Sequence, residues 1–289
     1  MGNLPMHLVA RVVKEALLED LGPSDLTTEC VVPPGTRARA SITAGTDLVV
    51  AGLEAARLSF LSMDPRALFP HAAAPGAKIP AGGMLLSVEA DAAAILAAER
   101  TALNFLGRLC GIATLTRRCV ELVSGTKTSI YDTRKTTPGL RLLERNAVAL
   151  GGGRNHRFAL HDAILIKDNH LRLAGGVGRA VAAARTRHPG ERGTRPVIEV
   201  EIDHLEDLHE AMEAGADIVL LDNMTPEEVG QAVRQAAGRV LLEASGGITL
   251  SNLASFAATG VDRISLGALT HSAPAADVGL SVEPIPSPG

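Results

Sequence analysis

Five basic side chains come from three separate segments of the chain, two of which follow or end a short apolar run typical of a β-strand, while the third is a glycine-rich loop. They are Arg134, Lys135, His156, Arg157 and Lys167. Arginine binds carboxylates and phosphates through paired hydrogen bonds, and lysine offers a compact charge. Any one of these residues alone is more simply explained as exposed loop charge. Together, on converging segments, they would repel one another without a ligand, so the pattern predicts a site for a small anion.

Acidic residues accompany the basic ones in the same part of the sequence. Glu199 and Glu201 lie two positions apart in an apolar run, so their side chains share one face of a strand, and Asp222 ends the next run. Such carboxylates could hold Mg²⁺, bind ribose hydroxyls or stabilise a positive charge. We expect Glu201 and Asp222 to be functional. For Glu199 the favoured interpretation is an ion pair with Lys167 or Arg134.

Two glycine-containing turns follow the last two apolar runs. They are Ser245-Gly246-Gly247 and Leu266-Gly267-Ala268. Glycines allow backbone N–H groups to approach a phosphate, so the two turns predict phosphate contacts. The run Gly151-Gly152-Gly153 lacks the spacing of a phosphate-binding P-loop and predicts only a flexible loop.

The elements that must position these groups are repeated β-α units. Six apolar runs cover residues 129–132, 163–167, 197–201, 218–222, 240–243 and 263–267, and the last four begin about every 22 residues. Repeats of this kind imply parallel strands with right-handed crossovers. A small or incomplete α/β barrel with a hidden seventh strand is predicted, and a doubly wound open sheet is the alternative. In a barrel the carboxyl ends of the strands carry the chemistry, and here those ends are charged.

Helix signals lie before and between the runs. The sequence predicts an amphipathic helix over residues 1–20 and an Ala/Leu-rich helix over 91–123 that Gly107 and Gly111 interrupt. Further helices are predicted from Asp203 to Gly215, from Thr225-Pro226 onward, and over residues 251–258. Residues 31–90 predict short strands joined by turns, among them 38–42 and 84–88.

Composition limits the class of protein. The chain has 289 residues, of which 46% are hydrophobic and only 2% aromatic, so its core must be aliphatic. The net charge of −4 argues against a general nucleic-acid binder. The cysteines at 30, 110 and 119 form no C-x-x-C pair, which fits a reducing compartment. No signal peptide and no apolar run long enough for a bilayer is evident, so we expect a cytoplasmic protein without a membrane partner.

The ordered motifs resemble one family over nearly the whole chain, the quinolinate phosphoribosyltransferases, also called nicotinate-nucleotide pyrophosphorylases (carboxylating). The resemblance is carried by Asp-Thr-Arg-Lys-Thr-Thr-Pro-Gly-Leu-Arg (132–141), Gly-Gly-Gly-x-Asn-His-Arg (151–157), Leu-Ile-Lys-Asp-Asn-His (165–170), Glu-Val-Glu (199–201), Leu-Asp-Asn (221–223), Glu-Ala-Ser-Gly-Gly-Ile (243–248) and Gly-Ala-Leu-Thr-His-Ser (267–272), with Glu-Asp-Leu-Gly (19–22) and Ala-Glu-Arg-Thr-Ala-Leu-Asn-Phe-Leu (98–106) earlier in the chain. Departures from the family pattern occur at Asn146, Ala159 and Ser24, in place of Tyr, Gly and Gly. They bear on loop geometry and substrate affinity more than on the type of reaction.

The resemblance implies a fold and an assembly. It implies an N-terminal α/β sandwich domain over residues 1–110 and an incomplete α/β barrel of about seven strands over residues 111–289, with the C-terminal tail packing back on the first domain. It also implies a homodimer with shared active sites, or a higher oligomer, that binds only small molecules.

The resemblance further assigns roles to residues. Arg134, Arg157 and Lys167 bind quinolinate, Thr133, Lys135 and His156 line the same pocket, and Arg100 reaches in from the partner subunit. Glu201 and Asp222 address the ribose hydroxyls and the Mg²⁺ of phosphoribosyl pyrophosphate, and Lys135, Glu201 and Asp222 are the catalytic residues. Phosphate is held by Ser245, Gly246, Gly247, Leu266, Gly267 and Ala268.

The implied reaction joins quinolinate to phosphoribosyl pyrophosphate and yields nicotinate mononucleotide, pyrophosphate and CO2, a step in NAD biosynthesis. One alternative is a paralogous phosphoribosyltransferase that acts on another anionic aromatic compound. A second is a barrel lyase that uses Lys167 to form a Schiff base. A third is a ligand-binding protein that kept the fold without the activity.

Overall fold

The computed structural model describes residues 4–188 and 195–286, which form two compact units. One unit comprises residues up to 117, residues 136–152 and residues from 269 onward, and the other comprises residues 118–135 and 153–268. No helix among the described residues is long and apolar enough to cross a membrane. The predicted boundary between residues 110 and 111 stays a prediction.

The first unit is built on an antiparallel sheet of four strands. The elements up to residue 122 are α1 (Met6–Leu21), α2 (Leu26–Val31), β1 (Arg37–Ala44), β2 (Leu48–Val49), α3 (Leu53–Met63), β3 (Leu68–Ala72), β4 (Lys78–Ile79), β5 (Met84–Asp91) and α4 (Ala92–Leu122). Alternation of buried and exposed residues along β1 places one face of the sheet on an aliphatic core. Phe60 and Leu106 are among the side chains fully buried there. The predicted α/β sandwich is confirmed.

The helix α4 is continuous over 31 residues, so the predicted interruption at Gly107 and Gly111 is wrong. Both glycines serve close packing within the first unit. A Cβ at Gly111 would lie 2.0 Å from the carbonyl oxygen of Pro274, and one at Gly107 would lie 3.1 Å from that of Ala276. The helix therefore keeps two residues of low helix propensity because a backbone segment crosses it at these points.

The second unit is built on a parallel sheet. From residue 129 the elements of the chain are β6 (Ser129–Tyr131), α5 (Arg141–Leu150), β7 (Ile164–Ile166), α6 (Asp168–Ala174), α7 (Val177–Arg187), β8 (Ile198–Ile202), α8 (Asp207–Glu213), β9 (Ile218–Asp222), α9 (Pro226–Ala236), β10 (Leu241–Ser245), α10 (Leu253–Ala258), β11 (Arg263–Ser265), α11 (Ala268–His271) and β12 (Val278–Pro284). Of these, α5 and β12 belong to the first unit, where β12 pairs antiparallel with β1.

The strand order distinguishes a barrel from a doubly wound sheet. Within the described residues the order is β6-β11-β10-β9-β8-β7, so strands from β7 to β11 lie side by side in chain order and the last strand returns to the first. This is the order of an α/β barrel left open between β6 and β7. A single parallel bridge joins Tyr131 to Arg154 at the open side, in the place of the predicted seventh strand. The barrel is thus incomplete, with six full strands described.

The start of α9 agrees with the sequence prediction, whereas the start of α8 is shifted. Thr225 caps α9 through a reciprocal capping box with Glu228, and Pro226 occupies the first turn. The helix predicted to begin at Asp203 begins only at Asp207. Residues 287–289 of the C-terminal tail lie outside the described residues.

Candidate active site

A cavity of about 330 Å³ lies at the carboxyl ends of the barrel strands. Its lining combines basic, acidic and hydroxyl side chains with two leucines, all from the barrel strands or the loops that follow them. They are Thr133, Arg134, Lys135, His156, Arg157, Leu165, Lys167, Glu201, Leu220, Asp222, Glu243, Ser245 and Ser265. Side chains distant in sequence meet here because parallel strands present their carboxyl ends at one rim.

Strand register explains why the acids share the cavity. Leu220 of β9 lies opposite both Glu201 of β8 and Glu243 of β10, and Asp222 lies opposite Ser245. Residues opposite one another in neighbouring strands project to the same face of a sheet. Because side chains alternate between the two faces of a strand, these five side chains all point toward the barrel interior. The strands that carry them are largely buried.

The basic side of the cavity is built on the loops after β6 and after the Arg154 bridge. The carboxylate of Asp132, fully buried, accepts a hydrogen bond of 2.7 Å from the backbone N–H of His156, which fixes the second loop to the end of β6. The guanidinium of Arg157 donates to the carbonyl oxygen of Ala163 at 3.0 Å. Burial, and then the charge of Arg134, lower the pKa of Arg157. The two cations thus lie close enough to repel each other in a half-buried site, and an anion between them would relieve that repulsion.

His156 lies between two buried glutamates beneath the basic loops. Its Nε2 is 2.9 Å from Glu199 and 3.6 Å from Glu243, whose side chain is fully buried. Burial lowers the pKa of His156, but the hydrogen bond and charge of Glu199, with Glu243, outweigh it, so the pKa is raised. The partner of Glu199 is His156 and not the predicted Lys167, whose ammonium pairs with Glu201 two residues further along β8.

The three side chains of this cluster also have the spacing of metal ligands. One atom from each of His156, Glu199 and Glu243 lies within 4.8 Å of the others. The hydrogen bond from His156 to Glu199 already satisfies two of these groups. The cluster therefore consists of a hydrogen-bonded pair, His156 with Glu199, and the neighbouring acid Glu243.

The acidic side of the cavity centres on Lys167, Glu201 and Asp222. The ammonium of Lys167 lies 2.5 Å from Glu201 Oε2. Burial, and then the nearby charge of Glu201, raise the pKa of Asp222. Asp222 also accepts a hydrogen bond of 2.8 Å from Asn223. Two carboxylates close enough to raise a pKa define a place where a cation is stabilised.

A rigid corner follows β9 and β10 at the same rim. Asn223 and Gly246 both have left-handed backbones, with φ of 56° and 84°. A Cβ at Gly246 would lie 2.3 Å from the side-chain oxygen of Asn223, so only glycine fits there. The N–H of Asn223 donates to the carbonyl oxygen of Ser245 at 2.9 Å, which ties the two strand ends together.

The structure brings most of the predicted site residues together. Nine of them line the cavity, namely Thr133, Arg134, Lys135, His156, Arg157, Lys167, Glu201, Asp222 and Ser245. Gly246, Gly247, Leu266, Gly267 and Ala268 follow the last two barrel strands at the same rim without lining it. The N–H of Leu266 donates to the carbonyl oxygen of Tyr131, so this amide is not available to a phosphate. Arg100 lies exposed on α4 in the first unit.

Sequence reasoning missed several residues of the cavity and its support. Glu243 and Ser265 line it, and Asp132 and Asn223 hold its loops. A signal was present for Glu243, because an acid that ends an apolar run between two other charged strand ends repeats the pattern of Glu201 and Asp222.

An open α/β barrel with facing cationic and acidic groups at the carboxyl rim defines the class of barrel enzymes that bind small anionic substrates. Comparison with known proteins narrows this class. Residues 25–110 match the family described as Quinolinate phosphoribosyl transferase, N-terminal domain, and residues 112–281 match its C-terminal domain. The chain belongs to the quinolinate phosphoribosyl transferase family.

Individual relatives match over nearly their full lengths. The nicotinate-nucleotide pyrophosphorylase (carboxylating) of Mycobacterium leprae is 42% identical over 277 residues, which cover 93% of this chain and 95% of that protein. A probable nicotinate-nucleotide pyrophosphorylase (carboxylating) of Bacillus subtilis is 40% identical over 277 residues, covering 96% and 94%. The structure of the nicotinate-nucleotide pyrophosphorylase from Francisella tularensis is similar with a TM-score of 0.91 and 38% identity, over 97% of this chain and 98% of that one.

Proposed function

We propose that this protein transfers the phosphoribosyl group of phosphoribosyl pyrophosphate to quinolinate with decarboxylation, which yields nicotinate mononucleotide, pyrophosphate and CO2. The observation that carries the proposal is the pair of mutually repelling guanidinium groups, Arg134 and Arg157, which face carboxylates across one small cavity. A dianionic ring bound to the cations and a sugar bound to the acids would satisfy both sides. Family membership and the names of the relatives support this assignment.

Arg134 and Arg157 bind the two carboxylates of quinolinate, with Lys167 beside them. Each guanidinium can form paired charge-assisted hydrogen bonds, which are about twice as strong as neutral ones. The second carboxylate lets the site distinguish quinolinate from nicotinate, because an arginine left without its partner in a half-buried site is unfavourable. Thr133 and His156 complete the wall of this half of the cavity.

Glu201 and Asp222 bind the ribose of phosphoribosyl pyrophosphate at the opposite wall. The pair also fits Mg²⁺, since the charge of Glu201 contributes to the raised pKa of Asp222 and a cation would offset it. Mg²⁺ would neutralise charge on the departing pyrophosphate. Ser245, Gly246 and Gly247, with Leu266, Gly267 and Ala268, contact the phosphate of the sugar, Leu266 without its backbone N–H, and the left-handed glycines 246 and 247 support this placement.

The side chains favour the transition state through charge. As the bond from the sugar carbon to pyrophosphate breaks, positive charge develops on the sugar, which Glu201 and Asp222 stabilise. Lys135 stabilises the leaving pyrophosphate. Holding the pyridine nitrogen in line with the sugar carbon removes an entropic cost of up to roughly 7–11 kcal/mol.

Decarboxylation follows from the product of transfer without a protein nucleophile. The alkylated pyridine nitrogen carries a positive charge, and the electron pair left when CO2 departs from the adjacent carbon is stabilised by that charge. A solvent proton then completes nicotinate mononucleotide. The Lys167 side chain is held in an ion pair with Glu201, so it is not presented as the free nucleophile that a Schiff base requires.

The active form is a cytoplasmic homodimer in which Arg100 of each subunit reaches the quinolinate site of the other. The exposure of Arg100 on a long helix supports this role. An arginine from the partner would add a third guanidinium to the site and make activity depend on assembly.

The decisive experiment measures quinolinate-dependent pyrophosphate release in the presence of Mg²⁺, together with CO2 release from quinolinate labelled in its 2-carboxylate. Equal amounts of pyrophosphate and CO2 are expected, and nicotinate in place of quinolinate should yield neither. Pyrophosphate release without CO2, or with nicotinate, would show a different phosphoribosyltransferase.

A further inference from the structure

The proposed reaction gives no task to Glu199, although this carboxylate lies directly behind the quinolinate half of the cavity. Its side chain is 5% exposed, and it is the second residue of the fully buried strand β8, where an apolar residue would fit the barrel core. A charged side chain buried at this depth is unfavourable unless it is paired. Its partner is His156, which lies in the loop after the Arg154 bridge.

We propose that Glu199 is a positioning residue for quinolinate binding, which fixes the ring of His156 and, through that ring, the backbone of Arg157. The proposal rests on the proposed function, because it concerns how that site is held in shape. It assigns Glu199 no contact with substrate.

The two nitrogens of His156 are both engaged, and this determines where the ring proton lies. Nδ1 accepts a hydrogen bond of 2.9 Å from the backbone N–H of Arg157, so Nδ1 carries no proton. The proton therefore lies on Nε2, from which it is donated to Glu199 at 2.9 Å. Glu199 thus selects the tautomer that can accept from Arg157, and it prevents rotation of the ring.

The hydrogen bonds form one continuous chain from the barrel core to the substrate loop. Glu199 holds His156 Nε2, His156 Nδ1 holds the backbone of Arg157, and Asp132 holds the backbone of His156. The guanidinium that faces the cavity is attached to this backbone. Loss of the first link leaves a buried imidazole N–H without an acceptor and frees the ring to release Arg157.

His156 Nε2 donates its hydrogen bond to Glu199 and not to Glu243, the other acid of the cluster. Glu243 lies 3.6 Å from Nε2, beyond a hydrogen bond, and Arg263 lies 4.0 Å from its other oxygen. Burial, and then the charge of Glu199, raise the pKa of Glu243 to about 7. The two distances therefore make Glu199 the acceptor of the Nε2 proton.

Three substitutions at Glu199 separate positioning from simple folding. Glu199→Met keeps the length of the side chain without an acceptor, and Glu199→Gln keeps an amide oxygen that accepts from Nε2. Glu199→Leu is a second apolar variant, should the first fail to fold. The Met variant should raise the KM for quinolinate about tenfold, as expected for a buried donor left without its acceptor, with little change in the KM for phosphoribosyl pyrophosphate. The Gln variant should stay within about threefold of the wild type.

Histidine ¹⁵N NMR provides a readout that does not depend on activity. The wild type should show His156, assigned by its loss in His156→Gln, as the Nε2–H tautomer, and the Met variant should lose that single form. An unchanged quinolinate KM in folded Met and Leu variants, or an Nδ1–H tautomer in the wild type, would overturn the positioning role. A wild-type protein with the Nε2–H tautomer but no quinolinate-dependent pyrophosphate release would instead refute the proposed function.

Discussion

The ammonium of Lys167 lies 2.5 Å from Glu201, so a cation assigned to quinolinate and an acid assigned to the sugar are paired with each other. The pair joins the two halves of the cavity. When both substrates bind, each partner of the pair is expected to acquire a ligand of its own. Occupation of one half should therefore alter the charge available in the other.

Lys167 tests this coupling most directly. Lys167→Met should raise the KM for quinolinate at least tenfold, through loss of a charge, and should also change the KM for phosphoribosyl pyrophosphate, because Glu201 loses its partner. Steady-state kinetics with each substrate varied in turn measures both. Lys127→Met, which removes an exposed pair with Asp262, is the control and should change neither. A change in the KM for quinolinate alone would show that the two halves of the cavity are independent.

Arg134 should be needed for binding more than for turnover. Arg134→Ala is expected to raise the KM for quinolinate at least tenfold, equivalent to about 1.4 kcal/mol, because a charge-assisted pair is lost. Initial-rate kinetics at saturating phosphoribosyl pyrophosphate checks this. Arg234→Ala, on the exposed face of α9, is the matched control. A near-normal KM for the Arg134 variant would remove this residue from the site.

Glu201 should contribute mainly to the transition state. Glu201→Gln keeps the shape of the side chain but removes the charge that would stabilise the cationic sugar, and kcat should fall about 100-fold or more. The exposed Glu227→Gln on α9 should leave kcat unchanged. Single-turnover measurements of pyrophosphate release would reveal the effect, and a normal rate would exclude an electrostatic role.

Shared active sites can be tested by mixing subunits. Arg100→Ala and Arg157→Ala should each abolish most activity alone. Heterodimers that combine them should regain up to about half of the wild-type activity, because one of the two sites would contain only intact residues. Differently tagged subunits, purified as verified heterodimers, allow the measurement. Inactive heterodimers would argue that each site is built by a single chain.

Glu243 predicts how stability depends on pH. Its pKa is raised from 4.5 to about 7 in the folded protein, so the folded state binds this proton more tightly than the unfolded state does. The resulting stabilisation is complete below about pH 4.5 and is lost as the pH rises through about 7. At pH 8 the Glu243→Gln variant should therefore be more stable than the wild type, with a free energy of unfolding higher by on the order of 1–3 kcal/mol and a higher unfolding temperature. At pH 5 this difference should be smaller or reversed. Calorimetry at the two pH values measures this.

Local sequence signals located most of the features that depend on neighbouring residues, although the helix predicted from Asp203 begins only at Asp207. The capping box at Thr225, the apolar runs of the barrel strands and the charged residues at their ends could all be located from the sequence. The spacing of two between Glu199 and Glu201 fixed a common face, because alternation along a strand is a local property. Nine of the predicted site residues accordingly line one cavity.

Structural features that depend on contacts between distant segments could not be predicted from local sequence signals. Gly107 and Gly111 predicted a broken helix, because their packing partners lie more than 160 residues further along the chain. At the open side of the barrel, the bridge between Tyr131 and Arg154 is too short to leave a periodic pattern in the sequence.

The sequence by itself determined which chemical groups this protein carries and at which ends of which strands they lie, since periodicity and caps are written in neighbouring residues. Only the tertiary structure decided which of those groups bind one another. Glu199 pairs with His156 and Glu201 with Lys167 because strand register and depth in the barrel set the distances between side chains, and hydrogen bonds and charges act over distances in space.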